Sequence, residues 1–256
     1  MILKKSLLAL TLAATLFSCS SDSSDSDSQI PQETGHLKQI TWTFTDGEIY
    51  SETLSYDGDK LISIEDSDGW KFKYIYENDM LIRINELNDS GIVTTYTLLE
   101  YDVENRLSSY TAYISSISEE WGWDLTYNED GTVSESSYEK SFNGSMLGEQ
   151  ESTIVLDNGQ ITGYYADGYN FNYEYDSNNG IYKNISHIEI LNLMDRSFQG
   201  YFESGLNNLT KITANYGGEG YDREVYEYSY NSNNYPATAN YYWEGELDAT
   251  IEYIYE

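Results

Sequence analysis

The feature that most constrains the fold is a hairpin-like unit, clearest at residues 98–110, that recurs along most of the chain. Residues 98–101 have the pattern of a strand, 102–106 that of a polar turn, and Leu107 begins a returning strand. Asp, Asn and Gly suit such turns because they tolerate left-handed backbone and bond their own main chain. The repeat predicts a series of antiparallel hairpins.

The copies of this unit align on a large side chain that directly precedes each turn. In each copy the residue two positions earlier is also aromatic or aliphatic, and in most copies so is the residue four positions earlier, which places them on one strand face. An aliphatic residue follows most turns and lies across from the anchor, a pairing worth about 0.2–1 kcal/mol. The anchors are Tyr56, Tyr76, Tyr101, Tyr127, Leu156, Tyr175, Tyr230 and Tyr255. Their usual spacing leaves room for two strands and two connections, so the meander is antiparallel.

The interval between Tyr175 and Tyr230 breaks this spacing, and we expect it to contain a degenerate copy of the unit. It also holds the most apolar run of the folded region, residues 185–194. Periodicity in so short a run fits a helix as well as a strand. We therefore predict an all-β fold, an antiparallel meander of hairpins forming a barrel-like or curled sheet. A short helix or irregular insertion near residues 185–205 would cover or plug it.

The charge of the chain excludes several classes of partner. Lys and Arg number 13 against 44 Asp and Glu, a net charge of −31. Such a surface repels phosphate backbones, so no nucleic-acid partner is expected, and it disfavours adsorption to anionic lipid. No stretch matches a calcium-binding loop, and Asp66 to Gly69, which begins like one, has the pattern of a turn.

The N-terminus has the pattern of a targeting segment. Residues 1–18 combine two early lysines with an apolar stretch too short to span a bilayer, as in a signal peptide. The sequence that ends at Cys19 resembles the lipobox of bacterial lipoproteins, which implies that Cys19 becomes lipid-modified and N-terminal. Residues 19–34 form a Ser/Asp-rich tether with little to bury, expected to be disordered. Residues 35–256 then form a single hairpin-repeat domain.

The lipobox resemblance also implies a cellular address. Several acyl chains on Cys19 would anchor the protein stably to a membrane without a transmembrane helix. Acidic residues just after the lipidated cysteine resemble the export signal of Bacteroidetes surface lipoproteins. We therefore expect an outer-membrane lipoprotein that is exposed at the cell surface, with the membrane as its partner through the lipid anchor.

Two family resemblances accompany the repeat. Tyr101-Asp102, followed by Asn105-Arg106-Leu107, resembles the Tyr-Asp hairpin repeat. The arrangement over residues 40–256 is similar to a family of Bacteroidetes lipoproteins described as having a porin-like β fold. Residues 207–212 and 226–236 carry most of that likeness. The family has no established activity, so the resemblance implies a fold and supplies no catalytic residues.

The chain lacks the parts of a recognisable active site. Cys19 is committed to lipid, and the two histidines, His36 and His187, lie far apart without a nucleophile signature. We expect His187 to be packed in the apolar run and His36 to be solvated. A zinc site would need more His or Cys ligands, so we predict no catalytic residue, no metal site and no cofactor.

Aromatic residues are the better candidates for ligand binding. Trp121 and Trp123 flank a single glycine, so strand alternation places both rings on one face, where they form a candidate platform for sugar rings. The alternative is that tryptophans in this chain simply fill a β core. We expect a non-enzymatic binding module for a glycan or another extracellular ligand. The alternatives are a structural subunit that docks on an outer-membrane protein complex, and a glycosidase with two carboxylates facing a cleft.

Overall fold

A computed structural model of the chain describes residues 35–115, 117–141, 144–195 and 204–256. One compact unit spans Glu33–Glu256. The expected signal peptide, lipidated Cys19 and tether fall on residues 1–34 and lie outside the described residues.

Within the described residues the chain forms sixteen β-strands and one α-helix. The strands are β1 (Leu37–Phe44), β2 (Ile49–Asp57), β3 (Lys60–Asp66), β4 (Lys71–Glu77), β5 (Met80–Leu87), β6 (Val93–Tyr101), β7 (Leu107–Ile114), β8 (Glu119–Tyr127), β9 (Thr132–Ser141), β10 (Met146–Asp157), β11 (Gln160–Ala166), β12 (Tyr169–Tyr175), β13 (Leu209–Asn215), β14 (Tyr221–Tyr230), β15 (Pro236–Trp243) and β16 (Glu246–Tyr255). Helix α1 spans Ile188–Asp195.

The strands form a closed antiparallel barrel. Each strand pairs with the next along the chain, and β1 pairs with β16 to complete the ring. Closure leaves no unpaired sheet edge, which removes the usual site of edge-to-edge aggregation. The predicted all-β antiparallel meander is therefore confirmed, as a barrel rather than an open curled sheet.

The barrel is apolar and aromatic inside and polar outside. Along β8, for example, Trp123 and Leu125 are buried while Asp124 between them is exposed. Several outward positions within the strands carry a full charge exposed to solvent. These residues are Lys73, Glu100, Asp124, Glu174, Glu227 and Glu252. No helix among the described residues is long and apolar enough to cross a membrane.

The repeat units all turn at one end of the barrel, which we call the closed end; the opposite end is the mouth. At the closed end the anchor and the residue after the turn face each other, as predicted. Tyr56 pairs with Leu61, Tyr101 with Leu107, and Leu156 with Ile161.

Tyrosine hydroxyls tie most of the hairpins to the one before. Tyr101 Oη donates a hydrogen bond to the carbonyl of Leu81, at 2.5 Å, and thus reaches the start of the preceding returning strand. The same link recurs around the closed end, and we call it the tyrosine ladder. Its members are Tyr56 to Leu37, Tyr76 to Leu61, Tyr101 to Leu81, Tyr127 to Leu107, Tyr175 to Ile161 and Tyr228 to Leu209.

The predicted insertion with a short helix is confirmed, and it lies within a turn. Residues 176–208 connect β12 to β13 at the closed end, and Tyr175 pairs with Leu209 as an anchor pairs with its turn-flanking aliphatic residue elsewhere. The expectation of a degenerate copy in this interval was wrong. The interval contains one ordinary two-strand unit, β13 and β14, and its extra length is the insertion.

The insertion plugs the closed end of the barrel. Ile188 and Leu191 of α1 are buried and belong to the central hydrophobic cluster. The segment is also tied to the repeat turns: the backbone N–H of Ser186 donates to the carbonyl of Asp59, and His187 Nε2 lies 2.7 Å from the carbonyl oxygen of Asp79. Apolar packing and turn contacts together hold the plug in place.

The expectation that His36 is solvated was wrong. Its exposed fraction is 8%, its ring stacks on Tyr56 with centroids 4.8 Å apart, and its Nε2 lies 3.1 Å from the carbonyl oxygen of Asn184. The insertion and the first repeat turn cover it, and neither is adjacent to it in sequence. His187 is half-buried and tilted against the ring of Tyr76.

Candidate functional site

A cavity of about 960 Å³ occupies the part of the barrel next to the mouth. Phe44, Tyr169 and Trp243, at strand ends on the mouth side, form part of its wall, and Ile181 and Tyr182 of the insertion lie at its floor. Ligand pockets usually enclose about 300–1,000 Å³ and are concave and largely apolar. Among the described residues, the insertion thus bounds the cavity on the side opposite the mouth.

Both predicted platform residues line this cavity. Trp121 and Trp123 face inward from β8, with ring centroids 6.5 Å apart and planes at 59°. Trp123 is 7% exposed and stacks on Tyr110, with centroids 4.7 Å apart. The prediction that the two rings share one face is confirmed. Trp121 is the more accessible of the pair, whereas Trp123 belongs mainly to the core.

The glycine between the two tryptophans has a packing role. Gly122 points outward, and a Cβ there would lie 2.1 Å from the ring of Tyr138 on β9. Gly122 and Tyr138 are directly paired across the two strands. The ring of Tyr138 therefore covers this position from outside, and any larger residue at 122 would displace it.

The indole N–H of Trp121 has an unmet hydrogen-bonding capacity. Its Nε1 is buried and has no hydrogen-bond partner among the described residues. A buried donor without a partner costs about 1–3 kcal/mol.

Two of the other three tryptophans also line the cavity. Trp42 is tilted against Tyr50, with centroids 5.5 Å apart, and Trp243 lies on β15. Trp70 instead lies beside the β3–β4 turn at the mouth and is exposed. The cavity wall therefore carries aromatic surface on several sides, which the sequence alone could not assign.

Arg223 lies in a charged aromatic setting that sequence reasoning missed. Its guanidinium carbon lies 4.8 Å from the ring centroid of Trp243 and 5.3 Å from that of Phe171, and its Nε is 3.5 Å from Oε1 of Glu224. Burial raises the pKa of the Glu224 carboxyl, and the nearby Arg223 opposes that rise. The β14–β15 register creates this group, so no local sequence signal could have revealed it.

Acidic side chains dominate the charge of the cavity wall. Glu52 is 1% exposed, and the hydroxyl of Tyr50 donates to its Oε1 at 2.9 Å. Among the described residues that line the cavity, five are acidic and Arg223 is the one cation. The acidic residues are Glu52, Glu139, Glu149, Glu224 and Asp248. Removing a carboxylate from water costs free energy unless the carboxylate gains a partner. The wall therefore favours ligands that donate hydrogen bonds to the carboxylate oxygens or carry positive charge.

The tyrosines of the wall are hydrogen-bond donors over the whole physiological range. Burial raises the pKa of the Tyr164 and Tyr228 phenols far above their usual value near 10.

Within the part of the chain that the structure describes, no group of three or more His, Cys, Asp or Glu side chains is placed to hold a metal ion. The chemistry on offer is stacking, hydrogen bonding and electrostatic attraction.

Comparison with solved structures identifies a similar fold. A porin-like protein from Bacteroides uniformis superposes with a TM-score of 0.50 at 13% identity, covering 86% of this chain and 96% of that one. The Tc holotoxin pore of Photorhabdus luminescens matches with a TM-score of 0.22 at 11% identity, over 81% of this chain and 10% of that one. The first likeness extends to the fold alone, and the second is too weak to inform even that. No known protein family matches the sequence, and no curated protein is similar to it.

Proposed function

We propose that this protein is a lipid-anchored module of the cell envelope whose barrel binds ring-bearing ligands, glycans foremost, without catalysis. The observation that carries the proposal is the aromatic and acidic chamber, open at the mouth and closed by the plug. Aromatic faces offer apolar area against which sugar rings stack. Carboxylates and tyrosine hydroxyls supply the few oriented polar contacts that give such a pocket specificity.

The sequence of the N-terminus supports a lipid anchor and a surface location. The sequence that ends at Cys19 resembles the lipobox of bacterial lipoproteins, and the acidic residues that follow resemble an export signal of surface lipoproteins. Such export would make the barrel accessible from outside the cell.

The outer face of the barrel supports a tethered position in water rather than insertion in lipid. Membrane barrels carry an apolar outward band, and a lysine or arginine facing lipid at the midplane costs about 2–4 kcal/mol. Here exposed charges such as Lys73 and Asp124 occupy outward positions within the strands. The term porin-like describes the Bacteroides uniformis protein. For this chain we propose a barrel that lies in water beside the membrane. We propose that the Tyr-Asp dipeptides at its turns serve to form hairpins.

A glycan-array screen of residues 33–256, which form a compact unit, tests the binding proposal. We expect at least one glycan class to bind, and Trp121→Ala to weaken that binding about tenfold or more, as loss of a central aromatic contact does. Trp70→Ala, an exposed tryptophan outside the cavity, is the matched control and should bind normally. The proposal fails if no glycan binds, or if both variants bind like the parent chain. Release of shortened glycan would instead favour the glycosidase alternative.

Protease shaving of intact cells tests the location. A surface protein is digested at low protease concentration, whereas one on the periplasmic side is protected until the outer membrane is opened. Cys19→Ala, which removes the lipidation site, should release the protein from the membrane fraction. Full protection in intact cells would contradict surface exposure, and continued membrane association of the variant would contradict the anchor.

The mouth itself favours the alternative function of docking on an envelope protein. Most of the connections at the mouth expose a large apolar side chain, and such patches often mark protein contacts. These residues are Ile49, Trp70, Ile92, Ile117, Met146, Leu147, Tyr216 and Leu247. Chemical crosslinking on cells, followed by purification, tests this alternative. A reproducible partner that is lost on Ile49→Asp, together with no glycan binding, would favour docking over ligand capture.

A further inference from the structure

Two Trp–Glu pairs face the cavity from well-separated parts of the barrel wall. Trp121 on β8 is the register partner of Glu139 on β9, and Trp243 on β15 is the register partner of Glu224 on β14. All four residues line the cavity. Directly opposed residues on neighbouring strands have Cβ atoms about 4.5–5.5 Å apart, so each pair sets an aromatic ring beside a carboxylate.

The pair on β14 and β15 already accommodates a cation of the chain. The guanidinium of Arg223 lies over the Trp243 ring and its Nε is 3.5 Å from Glu224 Oε1. An aromatic face and a carboxylate together attract a cation through the ring quadrupole and through direct charge. The barrel thus already contains one Trp–Glu pair that binds a cationic side chain.

The pair on β8 and β9 is not used by a cation of the described chain. Lys140, next to Glu139, points outward, where its Nζ lies 3.5 Å from Glu120 Oε1 and 3.9 Å from the Tyr138 ring centroid. Among the described residues no Lys or Arg forms an ion pair with Glu139. The buried indole N–H of Trp121 also has no partner among them.

We infer that Trp121 and Glu139 form a subsite for a sugar ring that bears a protonated amino group. The inference rests on the proposed function and narrows its ligand class to amino-sugar oligosaccharides. The ring of Trp121 stacks on the sugar and the Glu139 carboxylate receives the ammonium. An aliphatic polyamine would satisfy the carboxylate but would offer no ring to stack on Trp121.

Two oligosaccharides of equal length separate charge from shape. Oligomers of β-1,4-linked glucosamine and of N-acetylglucosamine share the ring and the linkage, and only the first carries ammonium groups below the pKa of its amines. Isothermal titration of residues 33–256 with each gives the ratio of their affinities. We expect the glucosamine oligomer to bind about tenfold more tightly, the effect of one charge-assisted hydrogen bond.

Glu139→Gln tests the residue, and Glu151→Gln controls for net charge. Glu151 lies on β10, is exposed and does not line the cavity, so its replacement removes the same charge from outside the barrel. We expect Glu139→Gln to abolish the preference for the glucosamine oligomer and Glu151→Gln to retain it. Circular dichroism and urea unfolding of both variants verify that the barrel remains folded.

The outcomes separate this inference from the proposed function. Equal affinity for the two oligomers overturns the inference and leaves glycan binding intact. A preference that survives Glu139→Gln, or that Glu151→Gln removes equally, also overturns it, because the attraction would then come from the surface as a whole. If neither these oligomers nor any arrayed glycan binds, both the inference and the proposed function fail.

Discussion

In most repeats a tyrosine holds the barrel together through its hydroxyl as well as its ring. Six tyrosine hydroxyls reach a carbonyl of the preceding hairpin, so the ladder links neighbouring units around the closed end. Leu156, the anchor of the fifth unit, has no hydroxyl to offer, and the buried Tyr255 hydroxyl has no hydrogen-bond partner among the described residues. The ladder therefore stops short of a full circle.

Tyr101→Phe tests the ladder at one position. The substitution removes the hydroxyl that donates to the Leu81 carbonyl and should lower the free energy of unfolding by about 1 kcal/mol. Tyr96→Phe is the matched control, because the Tyr96 hydroxyl makes no hydrogen bond to a described residue and its ring stacks on Tyr113. Urea unfolding measures both. Equal losses in the two variants would mean that the hydroxyl contributes nothing specific.

The ladder also predicts a loss of stability at high pH. Burial raises the pKa of Tyr76 to about 12, and it raises the phenol pKa values of Tyr101 and Tyr127 as well. In the unfolded chain these phenols ionise near pH 10. Above that pH the unfolded state releases protons that the folded state retains, so stability is complete below about pH 10 and falls as pH rises toward 12. Urea midpoints that stay constant across this range would contradict the prediction.

At the residue scale, the sequence correctly predicted the anchor tyrosines but wrongly predicted that His36 is solvated. The spacing of Tyr101 and its copies revealed the anchors because strand alternation is a local property. It could not reveal where their hydroxyls bond, since each acceptor belongs to another hairpin. His36 is buried for a similar reason, because Asn184 of the insertion and Tyr56 of the next strand cover it.

The insertion that forms the plug replaces part of one ordinary repeat turn. In the turn at Asp102, one carboxylate oxygen accepts the backbone N–H groups of Glu104 and Arg106. Asp176 uses its Oδ1 in the same way but accepts from Asn178 and from Asn208, which lies 32 residues further along. Asn208 thus takes the place of the turn-closing residue, and the plug emerges between the two contacts.

Leu191→Ala tests how firmly the plug is packed. Leu191 is 1% exposed in the hydrophobic cluster, so its truncation should reduce stability by about 2–5 kcal/mol. Glu189→Ala, on the exposed face of the same helix, should change stability by less than about 0.5 kcal/mol. Thermal unfolding of the two variants provides the comparison. A Leu191 variant as stable as the Glu189 variant would show that the helix rests on the barrel without stabilising it.

The sequence predicted the plug itself, but it did not predict that the plug lies within a repeat turn. The apolar run at residues 185–194 was enough to predict a helix or irregular insertion that plugs the sheet. The contact between Asp176 and Asn208 spans too much of the chain to be read from local pattern. That is why the long interval suggested a further repeat instead of an expanded turn.

At the scale of the whole molecule, an aromatic interior and a polar exterior follow from the repeat. Every unit presents apolar residues to one face and polar residues to the other, so a closed ring of them has a polar outside. The sequence could not choose between a barrel and a curled sheet, because that choice depends on the pairing of β1 with β16 at opposite ends of the chain. It likewise placed Trp121 and Trp123 on one face without locating Trp243, Arg223 or Glu139 beside the same cavity.

The polar outer face predicts behaviour without detergent. Residues 33–256 should remain monodisperse in detergent-free buffer and fold to a β-rich state by circular dichroism, since the outward charges at positions such as Lys73 and Glu174 are exposed to solvent. Size-exclusion chromatography with light scattering measures this directly. Aggregation that detergent micelles reverse would indicate a lipid-facing barrel instead.

The central claim is that ligands bind inside the barrel, between the mouth and the plug. A crystal structure of residues 33–256 with the best-binding oligosaccharide tests it most directly. The account predicts a sugar ring stacked on Trp121 within the chamber, with its polar groups in contact with Glu139 or other cavity carboxylates. Sugar density confined to the outer face or to the mouth loops, with the chamber unoccupied, would contradict it.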